Sequence, residues 1–366
     1  MVYRAIGLMS GSSLDGLDIA FAEIHENSGS WSFDILAADC YAYPPEWKEK
    51  LEKATTLNAL DYQLLHTSYG HYLGREVNRF IDQYGLHFKV GLVSSHGHTT
   101  FHVPSRAMTA QLGDGAAIAA ETGLPVISDL RAMDIALGGQ GAPIVPIGEK
   151  LLFSQYPLFL NLGGIANISF NLQGRYIAFD ICPANRVLNM LAAWDNKSFD
   201  AGGEMASMGK VNDDLLRLLN ALDYYRQPHP KSLANNFGTD EVYPLIKSFG
   251  LTHNDALRTY VEHVALQVAS AVEQGAGNAV YPPGSAMLVT GGGAFNTFLV
   301  ERLRQVLEPR GISVTVPDEH TVNYKEALVM ALAGVLRWRQ ENTVLSSVTG
   351  AARDSIGGAI WMGQEA

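Results

Sequence analysis

The chain has 366 residues, 47% hydrophobic and 17% charged, with a formal net charge of −11. That length is too great for one ordinary core, so two domains of roughly 150–200 residues are expected, and the acidic balance argues against nucleic acid and anionic membranes as partners. No apolar run approaches the ~18 residues of a membrane span, Cys40 and Cys182 make neither a disulfide framework nor a four-thiolate metal site, and no signal-like segment follows Met1, so a reduced, cytoplasmic protein is expected.

In chain order, residues 3–9, 17–24 and 31–42 read as a strand meander with a glycine- and serine-rich turn after the first strand. Helical spacing follows at 45–54 and 60–84, then a short buried-type strand at 90–95. Asp114 opens an alanine-rich helix that Gly123 ends, and 125–129 is another strand. ALGGQGAPIVP, residues 136–146, breaks every periodicity and marks a domain crossover. The same grammar then restarts, with strands at 157–162, 166–170 and 175–182 and a turn at Gly163–Gly164. Helices are expected after Pro183 and at 210–222, 258–274, 295–307 and 325–339, with a strand at 287–290. The C-terminal SSVTGAARDSIGGAIW carries no clear period. The two glycine-turn hairpins lie about 150 residues apart, which suggests a duplicated α/β unit: a first domain over 1–140, with 343–366 available to complete it, and a second over 141–342.

Five motifs carry chemistry. MSGSSLDGLD, residues 9–18, offers backbone amides and the Ser12 and Ser13 hydroxyls to phosphate oxygens, and Asp15 and Asp18 to Mg²⁺. An ordinary hairpin turn uses the same residue types. NLGGIANIS, residues 161–169, repeats the idea, and VTGGGAFN, residues 289–296, feeds a buried-type strand into three glycines and a helix, an arrangement that suits a nucleotide or merely a tight junction. In FDICPAN, residues 179–185, Asp180 near a strand end is either a general base or a helix cap. SSHGHTTFHVP, residues 94–104, places His96, His98 and His102 on one face of a regular strand, open to a metal, a sugar-contacting or a structural reading. Lys325–Glu326 reads as the start of a helix, with Glu326 favoured there by the helix dipole.

Together with the unbroken block at 111–146, PKSL and KEALVMALAG, these motifs resemble the anhydro-N-acetylmuramic acid kinases over nearly the whole chain. The resemblance implies an α/β fold of two duplicated actin-like (ribonuclease H-like) domains with a nucleotide cleft between them, a homodimer, and ATP with Mg²⁺ as phosphoryl donor. It implies an amino-sugar substrate whose 1,6-anhydro ring is opened by water while the freed 6-oxygen is phosphorylated, in peptidoglycan recycling. Asp180 falls at the position of the base that activates the water. Gly11, Ser12, Ser13, Leu14, Asp15, Gly16, Leu17 and Asp18 fall in the phosphate loop, with Gly163, Gly164, Asn167, Gly291, Gly292, Gly293 and Asn296 at further ATP contacts. His96, Thr99, Asn185 and Glu326 fall at sugar contacts. Three departures stand out: Ile181 and Cys182 replace a threonine and a glycine beside the base, His98 replaces a glutamine, and Ser12 replaces a threonine. The first two are where a kinase for a different amino sugar is expected to show, whereas the retained Asp180, Asp15 and Asp18 count against a non-catalytic ATP-binding relative.

Overall fold

Alternation of buried and exposed positions folds the N-terminal segments into a meander of β1 (Val2–Ser10), β2 (Gly16–Asn27) and β3 (Ser30–Ala42), with Ser10 opposite Leu17 at the turn. The computed structural model describes residues 1–11, 14–172, 175–229, 231–234, 236–276, 281–282 and 284–364, so Ser12 and Ser13 lie outside the described residues. Two helices follow, α1 (Pro45–Lys53) and α2 (Ala59–Tyr84). The Asn58 side chain caps α2 by accepting the Asp61 N–H, and Gly85 ends it at φ 60°. Its buried stripe of Leu65, Tyr69, Tyr72, Leu73, Val77 and Phe80 recurs every three to four residues and lays the helix on the sheet. That crossover returns the chain to β4 (Leu92–Val103), parallel to β1. Then come β5 (Met108–Leu112), α3 (Gly115–Thr122), β6 (Val126–Ser128), α4 (Ala132–Ala136) and α5 (Val145–Leu152).

The second half repeats the plan. An antiparallel meander, β7 (Leu158–Leu162), β8 (Ile165–Leu172) and β9 (Arg175–Pro183), precedes α6 (Asn185–Ala192), α7 (Glu204–Met208), α8 (Asp213–Asn220), α9 (Asp223–Arg226), α10 (Tyr243–Ser248) and the long α11 (His253–Ala276). The chain continues through β10 (Ala286–Thr290), α12 (Thr297–Leu307), β11 (Ser313–Thr315), α13 (Glu319–Trp338), α14 (Ser346–Thr349) and β12 (Ala359–Trp361). The first sheet runs β12-β6-β4-β1-β2-β3, with β5 on β4, and the second runs β11-β10-β7-β8-β9. Read outward from each meander, β3-β2-β1-β4-β6 and β9-β8-β7-β10-β11 are the same order with the same strand directions. The duplicated α/β architecture expected from the sequence is therefore present.

Residues 1–154 with 324–366 form one compact unit and 155–323 the other. These boundaries differ from the expected 140/141 and 342/343, for two reasons. Residues 136–146 belong to the first unit, because buried Asp134 accepts from the Gly141 N–H and the Thr349 hydroxyl, each at 2.7 Å, and so satisfies a loop that has no periodicity of its own. The unexpected helix α5 then packs on β3, with Phe153 5.2 Å from the Phe33 ring. At the other end, α13 begins at Glu319, six residues before the expected start, because Asp318 accepts both the backbone N–H and the hydroxyl of Thr321. Lys325 and Glu326 therefore sit inside the helix. Gly7 of β1 lets α13 approach closely: a Cβ there would overlap the Ala327 carbonyl.

Candidate active site

Asp180 lies three residues before the end of β9, just ahead of its three buried last residues, and is only half-buried. The ladder sets it opposite Asn167 of β8, which faces Asn161 of β7, which faces Thr290 of β10. Directly paired residues share a face, so four polar side chains form a row across four strands. Asp180 Oδ2 accepts from the Ser232 hydroxyl and from the Leu233 N–H, both at 2.9 Å. Tyr224 donates its hydroxyl to the Asp180 carbonyl at 2.7 Å, and burial, then the Asp180 carboxylate, push that phenol upward in pKa. Among the described residues Oδ1 has no donor, so the carboxylate has one occupied and one available oxygen. A cavity of about 600 Å³, lined by Tyr224, Gln227, Ser232, Leu233, Asn236 and Phe237 among others, adjoins the segment that holds Asp180.

The second unit also brings its two glycine turns together. The Gly163 and Gly164 carbonyls accept the N–H groups of Asn185 and Ala184 at 3.0 and 2.8 Å, tying the β7–β8 turn to the start of α6. Asn185 Nδ2 donates to the Leu162 carbonyl at 2.8 Å. Gly291 takes φ 81°, and a Cβ on Gly293 would come within 2.6 Å of Leu162 Cβ and 2.9 Å of Asn185 Oδ1. Gly292 faces open space, its nearest such neighbour being Asn185 Nδ2 at 3.7 Å. The buried Thr290 hydroxyl beside them has no hydrogen-bond partner among the described residues. Glycine backbone open on one side and an orphan hydroxyl fit a nucleotide ligand. Asn296 has a structural task, capping α12 by accepting the Leu299 N–H.

In the first unit, the β1–β2 turn holds Leu14 at φ 55° with its side chain buried, while Asp15 is exposed and accepts the Gly16 N–H at 3.0 Å. Leu17 is a core residue whose backbone belongs to the ladder. Asp18, on β2 opposite Met9 and Cys40, has its pKa pushed up to about 6. Burial is the main cause and the negative charges of Asp15 and Glu326 add to it, against a lowering hydrogen bond from Cys40. The Cys40 thiol is pushed up to about 12 by burial and by Asp18, so it stays protonated. A partly buried carboxylate, Asp18, whose charge is disfavoured by burial and by the exposed Asp15 nearby, fits a hydrated Mg²⁺ that takes its other ligands from phosphate.

Deeper in this unit lies a cluster of charges. His96 Nδ1 bonds the Gly97 carbonyl at 2.9 Å and Nε2 accepts from Arg131 Nε at 2.9 Å, which fixes the neutral Nδ1–H tautomer. Burial, then Arg131, pull its pKa down to about 3. Arg131 also donates to the Gly141 carbonyl at 2.6 Å, and burial lowers it to about 10 against the pull of Glu326. Burial raises Glu326, with Lys325 and Arg131 opposing. Lys325, expected at a solvated helix start, is buried and donates to buried Glu149 at 3.1 Å. Thr99 is half-buried on β4 and accepts from Gln111 Nε2 at 3.3 Å.

The three histidines part company. Gly97 adopts φ 70° and the β1–β4 register shifts beside it, so the even alternation that would align them is broken. His96 turns to Arg131; His98 Nδ1 lies 3.1 Å from Ser10 Oγ, itself bonded by Tyr43; and exposed His102 meets Thr109. Among the described residues no group of three or more His, Cys, Asp or Glu side chains could hold a metal ion, so the three-histidine reading has no geometric support. Ile181, Cys182 and His98 are all buried. The sequence reading assigns no role to Ser232, Leu233 or Tyr224, although the PKSL motif carries the first two.

Residues 3–363 match the family model described as anhydro-N-acetylmuramic acid kinase. The anhydro-N-acetylmuramic acid kinase of Synechococcus elongatus is 32% identical, covering 98% of this chain and 99% of that protein. The Vibrio parahaemolyticus enzyme of the same name is 33% identical, covering 95% of each. Among solved structures, the activator of 2-hydroxyisocaproyl-CoA dehydratase from Clostridium difficile with bound ADPNP is 16% identical, covering 92% of this chain and 96% of that one, with a TM-score of 0.45. The chain belongs to the anhydro-N-acetylmuramic acid kinase family.

Proposed function

We propose that this member of the family is an ATP-dependent kinase acting on 1,6-anhydro-N-acetylmuramic acid, giving N-acetylmuramic acid 6-phosphate and ADP. Water adds to C1, the C1–O6 bond breaks, and O6 forms a bond to the γ-phosphorus as ADP leaves. Asp180 Oδ1 takes the proton of the attacking water, and the observation that carries this role is the carboxylate with one oxygen held by Ser232 and Leu233 and the other available. His96, Thr99, Asn185 and Glu326 are assigned to the sugar. Both ring nitrogens of neutral His96 are bonded, to the Gly97 carbonyl and to Arg131, so it serves the sugar by positioning the Arg131 cation. Gly163, Gly164, Asn167, Gly291, Gly292, Gly293 and Asn296, with residues 11–18, are assigned to ATP, through backbone amides that approach phosphate without a side chain in the way. Asp15 and Asp18 would hold Mg²⁺, which offsets charge on the phosphates when bound. The setting is peptidoglycan recycling in the cytoplasm, as a homodimer. No helix among the described residues is long and apolar enough to cross a membrane.

A coupled ADP-release assay with Mg-ATP and the anhydro sugar, run beside N-acetylmuramic acid and N-acetylglucosamine, tests this directly. Turnover on the anhydro sugar with a 6-phosphate product is expected. Turnover on one of the other sugars alone would assign a different acceptor, and ATP binding with silence on all three would leave a non-catalytic relative.

A further inference from the structure

The backbone of Asp180 is fixed from both sides. Its N–H donates to the Lys231 carbonyl at 3.3 Å and its carbonyl accepts the Tyr224 hydroxyl, so the direction of its side chain is set before any ligand arrives. The segment that does this is itself fastened to β9. The His229 ring stacks on Phe179 at 5.6 Å and 7°, and the Lys231 ammonium stands 4.9 Å from the Tyr224 ring centroid and 5.7 Å from that of Phe179. Leu233 is buried and anchors the far end, whereas Ser232 between them is exposed. Among the described residues the Ser232 hydroxyl bonds to Asp180 Oδ2 alone.

We propose that Ser232 is a positioning residue for Asp180, its hydroxyl and the neighbouring Leu233 N–H holding Oδ2 so that the proton of the attacking water goes to Oδ1. The proposal rests on Asp180 being the base. Two donors on one carboxylate oxygen stabilise the anion and occupy that oxygen's lone pairs, so the other oxygen is presented in a single rotamer. A plain alternative is that Asp180 merely caps the segment 231–233, in which case the Ser232 bond serves folding alone. The two differ in what they make of the pH profile. Removing a donor from an ionised carboxylate raises its pKa, so the acid limb of kcat/KM must move to higher pH only if Asp180 works in its ionised form.

The experiment measures kcat, KM and their pH dependence for the wild type, Ser232→Ala, Ser232→Thr and Asp180→Asn, with thermal denaturation and ATP binding alongside. Expected for Ser232→Ala is a fall in kcat of roughly ten-fold, an acid limb displaced upward, unchanged ATP affinity and an unchanged melting temperature, with Ser232→Thr restoring rate and limb. Wild-type rates in Ser232→Ala, or slowing with an unmoved limb and no recovery in Ser232→Thr, would overturn the proposal alone. Turnover surviving in Asp180→Asn, or a wild type inactive on the anhydro sugar, would instead remove the reading beneath it and the proposal with it.

Discussion

The two units share a strand order but embed their polar chemistry differently. The first keeps polar and charged side chains in its core: His96, His98, Glu149 and Lys325 are buried, and each is bonded to a partner from another element. In the second, the candidate chemistry sits at the rim, on a half-buried aspartate and on glycine backbone, above a core of Leu, Val, Ile and aromatic side chains. A site made of glycine amides and one rim carboxylate can change without disturbing the packing beneath it, whereas a site made of buried ions cannot, because each ion left alone bears its full desolvation cost. Mutations should therefore separate activity from stability in the second unit and entangle them in the first.

The sharpest test of that contrast is Asp180→Asn, which keeps the shape of the side chain and loses the base. Turnover should fall by about 10²–10⁴-fold, with the melting temperature and ATP affinity nearly unchanged. A large drop in melting temperature would place Asp180 among the structural carboxylates. Next in size is Lys325→Met, which removes the bond between buried Lys325 and buried Glu149 and should cost about 3–5 kcal/mol in denaturant unfolding. The double variant with Glu149→Leu should recover most of it, and equal losses in single and double variants would show that the pair does not act as a pair.

Asp18→Asn probes the same unit from the opposite direction. A carboxyl whose folded pKa is about 6 rather than 3.8 favours folding when protonated, below pH 4, and loses that contribution as pH rises through 6. The asparagine variant should therefore be more stable than the wild type at pH 8, by on the order of 1–3 kcal/mol, with the gain vanishing near pH 4. Mg-ATP should bind it more weakly. A stability gain independent of pH would contradict the burial of the charge. The smallest effect is expected of His98→Gln: an amide can still meet Ser10, so stability should change by less than about 1 kcal/mol, as read by thermal denaturation, with turnover close to wild type.

Much of the fold was legible because its signals are local. Asn58 and Gly85 bracket α2, Asp114 and Gly123 bracket α3, and the alternation of β1 to β3 and β7 to β9 declares the two meanders. Where the local signal was weak, the reading failed in a consistent way. The strand at 90–95 in fact runs to Val103, since β1 pairs it as far as His98 and β5 pairs it from His98 onward. α5 follows a segment whose glycines and prolines hide it, and α13 starts six residues early, on a cap outside the KEALVMALAG motif.

The sequence by itself determined the secondary-structure grammar, its duplication, the glycine turns and the place of Asp180 near a strand end, because turn, cap and period are written in neighbouring residues. Only the tertiary structure decided what each polar group meets. Ser232 reaches Asp180 across 52 positions, and Lys325 reaches Glu149 across 176. His96 and His98, two residues apart, face different partners because one glycine between them takes a left-handed turn. Such meetings depend on how the sheets and helices close on each other, and residue spacing along a chain carries no record of that closure.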